Sequence, residues 1–107
     1  MATITYTVTV ASGTNQYGTG NKFYINGEVS PVLYLQEGNT YIFDQSDSTN
    51  DTHQLAFSTN PNNSPAASYT TGVTSTGSPG TSGAKTTIVV APVKKTGAPV
   101  LFYYCTN

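Results

Sequence analysis

The sequence predicts an all-β chain, a β-sandwich or Greek-key barrel of seven or eight short strands. Apolar and polar residues alternate with period two in several segments, and no segment shows the helical period of about 3.6 residues. Gly, Pro, Asn, Asp and Ser punctuate the chain at short intervals, as turns between short strands require. The 107 residues fit one domain, 1–107, large enough to bury a core without disulfides or a metal.

The opening segment TITYTVTV alternates strictly, with Ile4, Tyr6, Val8 and Val10 on one side and Thr3, Thr5, Thr7 and Thr9 on the other. This is the pattern of a half-buried strand whose threonines face solvent. Its terminal position and lack of charge make it the candidate open edge for pairing with another chain. ASGTNQYGTGN reads as a turn and KFYI as a short aromatic strand. Asn26-Gly27 predicts a tight hairpin, because both residues tolerate positive φ.

Beyond Pro31, VLYLQEGNTYIFDQSD predicts two strands around QEGN, with Leu33 and Leu35 on one face of the first and Tyr41 and Phe43 on one face of the second. The acidic stretch DQSDSTND lacks the spacing and terminal glutamate of a calcium-binding EF-hand loop, so Asp44, Asp47 and Asp51 are read as a solvated turn. Asn50-Asp51-Thr52 and Asn62-Asn63-Ser64 match the glycosylation pattern and are read as polar loop. In THQLAFST, the residues His53, Leu55 and Phe57 share one face of a strand. Residues 59–83 carry Pro61, Pro65, Pro79 and several glycines, which predicts an extended loop with one short strand near Tyr69. KTTIVVAP, a turn at VKKTGAP and VLFYYC complete the series. In the last of these, Leu101, Tyr103 and Cys105 point one way and Val100, Phe102 and Tyr104 the other, so this strand is expected to be covered on both faces.

Composition narrows the function classes. Charged residues are 8% of the chain, with no arginine, so no phosphate-binding face is written here and nucleic acid is not an expected partner. The N-terminus lacks a signal-peptide pattern, and no apolar run reaches the roughly 20 residues of a membrane-spanning helix. A soluble protein without membrane attachment is expected. The single cysteine, Cys105, is open to four roles: buried thiol, metal ligand, nucleophile or intermolecular bridge. A nucleophile would need a base, for which His53 is the one histidine, and no nucleophile signature surrounds the thiol.

The pieces PVLYLQEGNTYIF, DTHQLAF and TGAPVLFYYCTN, in that order over residues 30–107, resemble the cupredoxin family. The resemblance implies a cupredoxin-like Greek-key β-sandwich, with His53 and Cys105 at the positions of two ligands of a type 1 copper. In the family a second histidine follows closely after the cysteine, often with an axial methionine. At the commonest spacing that histidine would fall one position past Asn107, and Met1 belongs to the opening strand. His53 and Cys105 are thus the ligand positions present. No cofactor is expected, with copper to be considered if the chain continues beyond Asn107.

YTVTVASGTNQYGTGNKFYINGEVSP, EGNTYIFDQSDSTNDTHQLAFST, YTTGVTSTGSPGTSGA and FYYCTN, taken as a set, resemble small cupredoxin-like modules in structural proteins of marine bacteriophages. This implies a non-enzymatic virion structural protein, a capsid decoration or a fibre-associated module, made in the host cytoplasm and placed on the virion surface. Its expected partners are capsid or fibre proteins of the same virion, and homo-oligomers are allowed. The alternatives are a type 1 copper electron-transfer protein using His53 and Cys105, and a glycan-adhesion module using exposed tyrosines. Cys105 itself is expected to continue the inward series of Leu101 and Tyr103 as a packing residue near His53.

Overall fold

The computed structural model describes residues 2–15, 18–29, 31, 33, 35–58, 68–90 and 102–105, with the side chains of Asn15, Ser68, Phe102, Tyr104 and Cys105 outside that set. Its elements run β1 (Thr3–Asn15), β2 (Gly18–Ile25), β3 (Glu28–Val29), β4 (Thr40–Asp44), a 3-10 turn η1 (Ser48–Asn50), β5 (Leu55–Ser58), β6 (Ser68–Tyr69), β7 (Val73–Thr76), β8 (Lys85–Val89) and β9 (Phe102–Cys105). The chain is therefore all-β, with nine strands among the described residues where seven or eight were expected. Among the described residues no helix is long and apolar enough to cross a membrane.

Six strands form a mixed sheet in the order β3-β2-β1-β4-β8-β7, and three form an antiparallel sheet in the order β6-β5-β9. The long strand β1 organises the first sheet by changing neighbours along its length. Thr3–Thr7 pair in parallel with Thr40–Asp44, and Val8–Asn15 pair antiparallel with Gly18–Ile25. In the sheet order this strand lies between β2 and β4, which corrects its expected place at the sheet edge, while Thr3–Thr7 pair with β4 alone among the described strands. The edges of this sheet are β3 and β7.

Alternation along β1 orients it as the sequence predicts: Val8 and Val10 are buried, Ile4 and Tyr6 pack against the core, and Thr3, Thr5 and Thr7 are exposed. β4 buries Tyr41 and Phe43, β8 buries Ile88, and β5 of the second sheet buries Leu55 and Phe57. These residues, with Phe23 and Ile25, make one cluster shared by both sheets. Phe43 meets Phe57 edge-on at 5.6 Å between ring centroids, and Tyr6 lies 5.2 Å from Phe43. Such aromatic pairs add about 0.5–1.5 kcal/mol each beyond their burial.

The hairpin at Asn26-Gly27 forms as predicted. Both residues have positive φ, 50° and 86°, and the flanking pairs are Ile25↔Glu28 and Tyr24↔Val29. Primed turns of this kind match the right-handed twist of the strands. Upstream, the expected turn ASGTNQYGTGN is largely strand, since β1 runs on to Asn15 and β2 begins at Gly18. Tyr24 supports this ribbon by lying across Gly13, and its hydroxyl donates to Ser12 O at 2.8 Å. A Cβ at position 13 would come within 2.8 Å of that hydroxyl, so a larger residue there would have to displace it.

Three further expectations need correction. Pro31, Leu33 and Leu35 are not in a strand, although both leucines pack on the core. The backbone there bonds elsewhere: Gln36 N donates to the Tyr41 hydroxyl at 2.9 Å and Gly38 N to Val90 O at 3.0 Å. Second, the loop expected over 59–83 contains β7, paired with β8 from Val73↔Ile88 to Thr76↔Lys85, in addition to the short strand at Ser68–Tyr69. Third, His53 precedes its strand, which starts at Leu55. The expected positions of Val100, Leu101 and the turn VKKTGAP lie outside the described residues.

Candidate functional site

Two regions concentrate the chemistry of the described residues: the turn that carries His53, and the outer face of the six-stranded sheet. The first is built from uncharged polar side chains. After β4 the chain turns inward at Gln45, which is 1% exposed, and its backbone is taken up by the loop before β8 through Gln45 N to Ala84 O at 2.9 Å and Gly80 N to Gln45 O at 2.8 Å. Its amide Nε2 donates to His53 O at 2.7 Å and to Asn50 Oδ1 at 3.3 Å. Its Oε1 accepts from Thr86 Oγ1 at 2.9 Å and Leu55 N at 3.2 Å. One glutamine thus joins η1, the His53 turn, β5 and β8.

Asn50 extends this network to β1. Its Nδ2 donates to Val8 O at 2.7 Å, while Thr49 Oγ1 accepts from Val10 N at 2.9 Å. β4 ends opposite Thr7, so η1 takes over the backbone groups of β1 where its strand neighbour stops. The turn is itself capped by Asp47, whose carboxylate accepts from Thr49 N at 2.9 Å and Thr49 Oγ1 at 2.6 Å. Those two bonds, the hydroxyl first, hold the Asp47 carboxyl below its ordinary value. The stretch expected to be a solvated turn is therefore a capped 3-10 turn with Asn50 fully buried.

His53 lies half-buried at the exit of this turn, with its backbone N donating to Asn50 O at 2.7 Å. Cys105 lies on β9 opposite Leu55, two positions along from His53. The backbone therefore brings together the two residues that sequence reasoning singled out, at one end of the second sheet. The contacts of the Cys105 side chain, and so its expected packing role, lie outside the described residues. One imidazole and one thiol are two donors, fewer than the thiolate, two imidazoles and weak axial ligand of a type 1 centre, so by themselves they do not fit that copper. Among the described residues no three His, Cys, Asp or Glu side chains converge as a metal group. The bonds of Gln45 join amides, hydroxyls and backbone groups, a set that positions the turn.

On the same β9, the Tyr103 hydroxyl donates to Pro31 O, tying this edge strand to the segment before β4. Burial pushes the Tyr103 phenol well above its ordinary value of 10.0.

The second region is the outer face of the six-stranded sheet. Register places its side chains in rows across the strands: Thr3, Thr40 and Val89; Thr5, Ile42, Thr87 and Thr74; Thr7, Asp44, Lys85 and Thr76. Val89 is 48% exposed, and a hollow of about 160 Å³ opens among Thr5, Ile42, Asp44, Ser46, Ala84 and Lys85. The Asp44 carboxylate accepts from Ser46 Oγ at 2.6 Å and Ser46 N at 2.9 Å, which holds its carboxyl below the ordinary value. The alternation of β1 exposed this region in the sequence, but the threonines of β7 and β8 join it only through register. Nothing marked Gln45, Asn50 or Thr86 as buried.

No protein-family model matches the chain, and neither a curated protein nor a solved structure matches it.

Proposed function

We propose that the chain is a non-enzymatic structural module of a virus particle, a capsid decoration or fibre-associated domain of a marine bacteriophage on a cupredoxin-like Greek-key β-sandwich. The single observation that carries an assembly role is the outer face: a broad row-ordered field of threonines, with one acid and one lysine, on a six-stranded sheet. The phrase-level resemblance to phage modules supplies the setting. A contact surface of this kind works by many weak interactions repeated through the symmetry of a shell or fibre, where linked sites raise the effective concentration of one another. Its partners are then capsid or fibre proteins of the same virion.

Antibody against the chain, applied to intact particles and viewed by electron microscopy, should decorate regular surface positions. Labelling of host lysate with bare particles would overturn the proposal. The copper alternative has a specific observation in its favour, the placement of Cys105 opposite Leu55 beside the His53 turn. With two donors in place, Cu(II) titration of the purified chain is expected to produce no intense visible charge-transfer band, and such a band would favour electron transfer.

A further inference from the structure

We infer that the outer face of the six-stranded sheet is a self-complementary interface, and that its occupant is the same face of a second copy of this chain. The inference deepens the particle reading and rests on it for its setting. Its basis is the order of side chains in the rows. Consider a two-fold axis lying in the interface, parallel to the strands and midway between β4 and β8. Rotation about it exchanges the positions of β4 and β8 and keeps each row opposite itself. Asp44 then faces Lys85 of the second copy, and Lys85 faces its Asp44. Ile42 faces Thr87, and Thr40 faces the exposed Val89. One strand further out on each side, Thr5 faces Thr74 and Thr7 faces Thr76.

The charges are complementary in both directions, which an isologous pair requires. The apolar side chains meet threonines, whose methyl groups offer them contact. The hollow beside Asp44 and Ser46, about 160 Å³, gives the Lys85 chain of the second copy a place to lie with its ammonium group near the carboxylate. Other axes parallel to these four strands set Asp44 against Thr7, against Thr76 or against itself.

The size of the face fits a contact meant to be repeated. Four strands spaced about 4.8 Å apart and three rows about 6.7 Å apart span roughly 400 Å² of flat area per copy. Stable pairs bury about 800 Å² on each partner, so an isolated pair is weak and a symmetric assembly makes it effective.

Sedimentation of the purified chain over a range of concentrations at low salt tests the face. Wild type should show reversible dimers that weaken as salt rises. Asp44→Lys carries two lysines in the end row of the face, beside the two-fold axis, and Lys85→Asp carries two acids there. Each alone should dimerise at least about tenfold more weakly than wild type, and an equimolar mixture should recover a heterodimer. Circular dichroism of each variant checks that it is folded, and Thr5→Lys, on an exposed position of the same face, repeats the test without touching the Asp44–Lys85 pair. A wild type that stays monomeric at every concentration overturns the inference, as do charge variants that associate like wild type or a mixture that recovers nothing. Absence of the chain from particles would instead remove the particle reading, and would leave dimerisation in solution as measured.

Discussion

Asn50 is buried because its amide bonds the stretch of β1 that has run past the end of β4: Nδ2 donates to Val8 O and Oδ1 accepts from Gln45 Nε2. Asn50→Ala leaves that carbonyl and that amide short of a partner in a region closed to water. Each such loss costs about 1–3 kcal/mol, so about 3 kcal/mol is expected for the variant. Thr86→Val removes one hydroxyl from the same network, but Gln45 Oε1 keeps Leu55 N and Gln54 Nε2 as donors. Its cost should be about 1 kcal/mol. Urea unfolding of the two variants measures the difference, and equal costs would mean that Asn50 does not bridge η1 to β1. Tyr103 gives a pH signature. Its phenol is raised by burial, so the fold holds the proton more tightly than the unfolded chain. Stability from this group is fully present below the ordinary tyrosine value of 10.0 and declines as pH rises past it. Tyr103→Phe should shallow the alkaline decline of the melting temperature, and an unchanged decline would assign it to other groups.

β7 shows what the sequence leaves unreadable at the scale of an element. VTST has one apolar residue and follows a glycine, so it carries no alternation by which a strand could be recognised; its strand state comes from pairing with β8. Gly72 starts that pairing, with φ of 71° and its carbonyl accepting from Val89 N at 2.9 Å. A Cβ there would come within 2.3 Å of Val89 O, whereas a Cβ at Gly83, with φ of 83°, meets open space. Gly83→Ala should cost only the left-handed strain, about 1 kcal/mol. Gly72→Ala adds a backbone clash and should cost clearly more, with faster amide exchange confined to β7 and its pairing with β8. Similar costs would place the strand's anchor elsewhere. By contrast β1 was legible, because strict alternation of Ile, Tyr and Val with Thr sets which face is buried, and β4 and β5 were legible from Tyr41 with Phe43 and Leu55 with Phe57 at period two. Gln45, Asn50 and Thr86 were not, because a polar residue has the same identity in a loop as in a satisfied interior network. His53 and Cys105 were visible as residue types, and their proximity appeared only with the Leu55↔Cys105 register.

At the scale of the whole molecule, one apolar cluster joins both sheets through Phe43 and Phe57, and the Gln45 network links β4, β5 and β8 beside it. In the assembly role proposed above, the threonine rows on the outer face of this scaffold are the contact surface. A structural role predicts a fixed number of copies, since symmetry repeats each contact over a shell or fibre. Quantitative mass spectrometry of gradient-purified particles counts those copies against a major structural protein of the same particle. A constant, stoichiometric ratio that persists through a high-salt wash is the result the assembly role predicts, and a chain found only at trace level, or lost from the particle fractions, would contradict it.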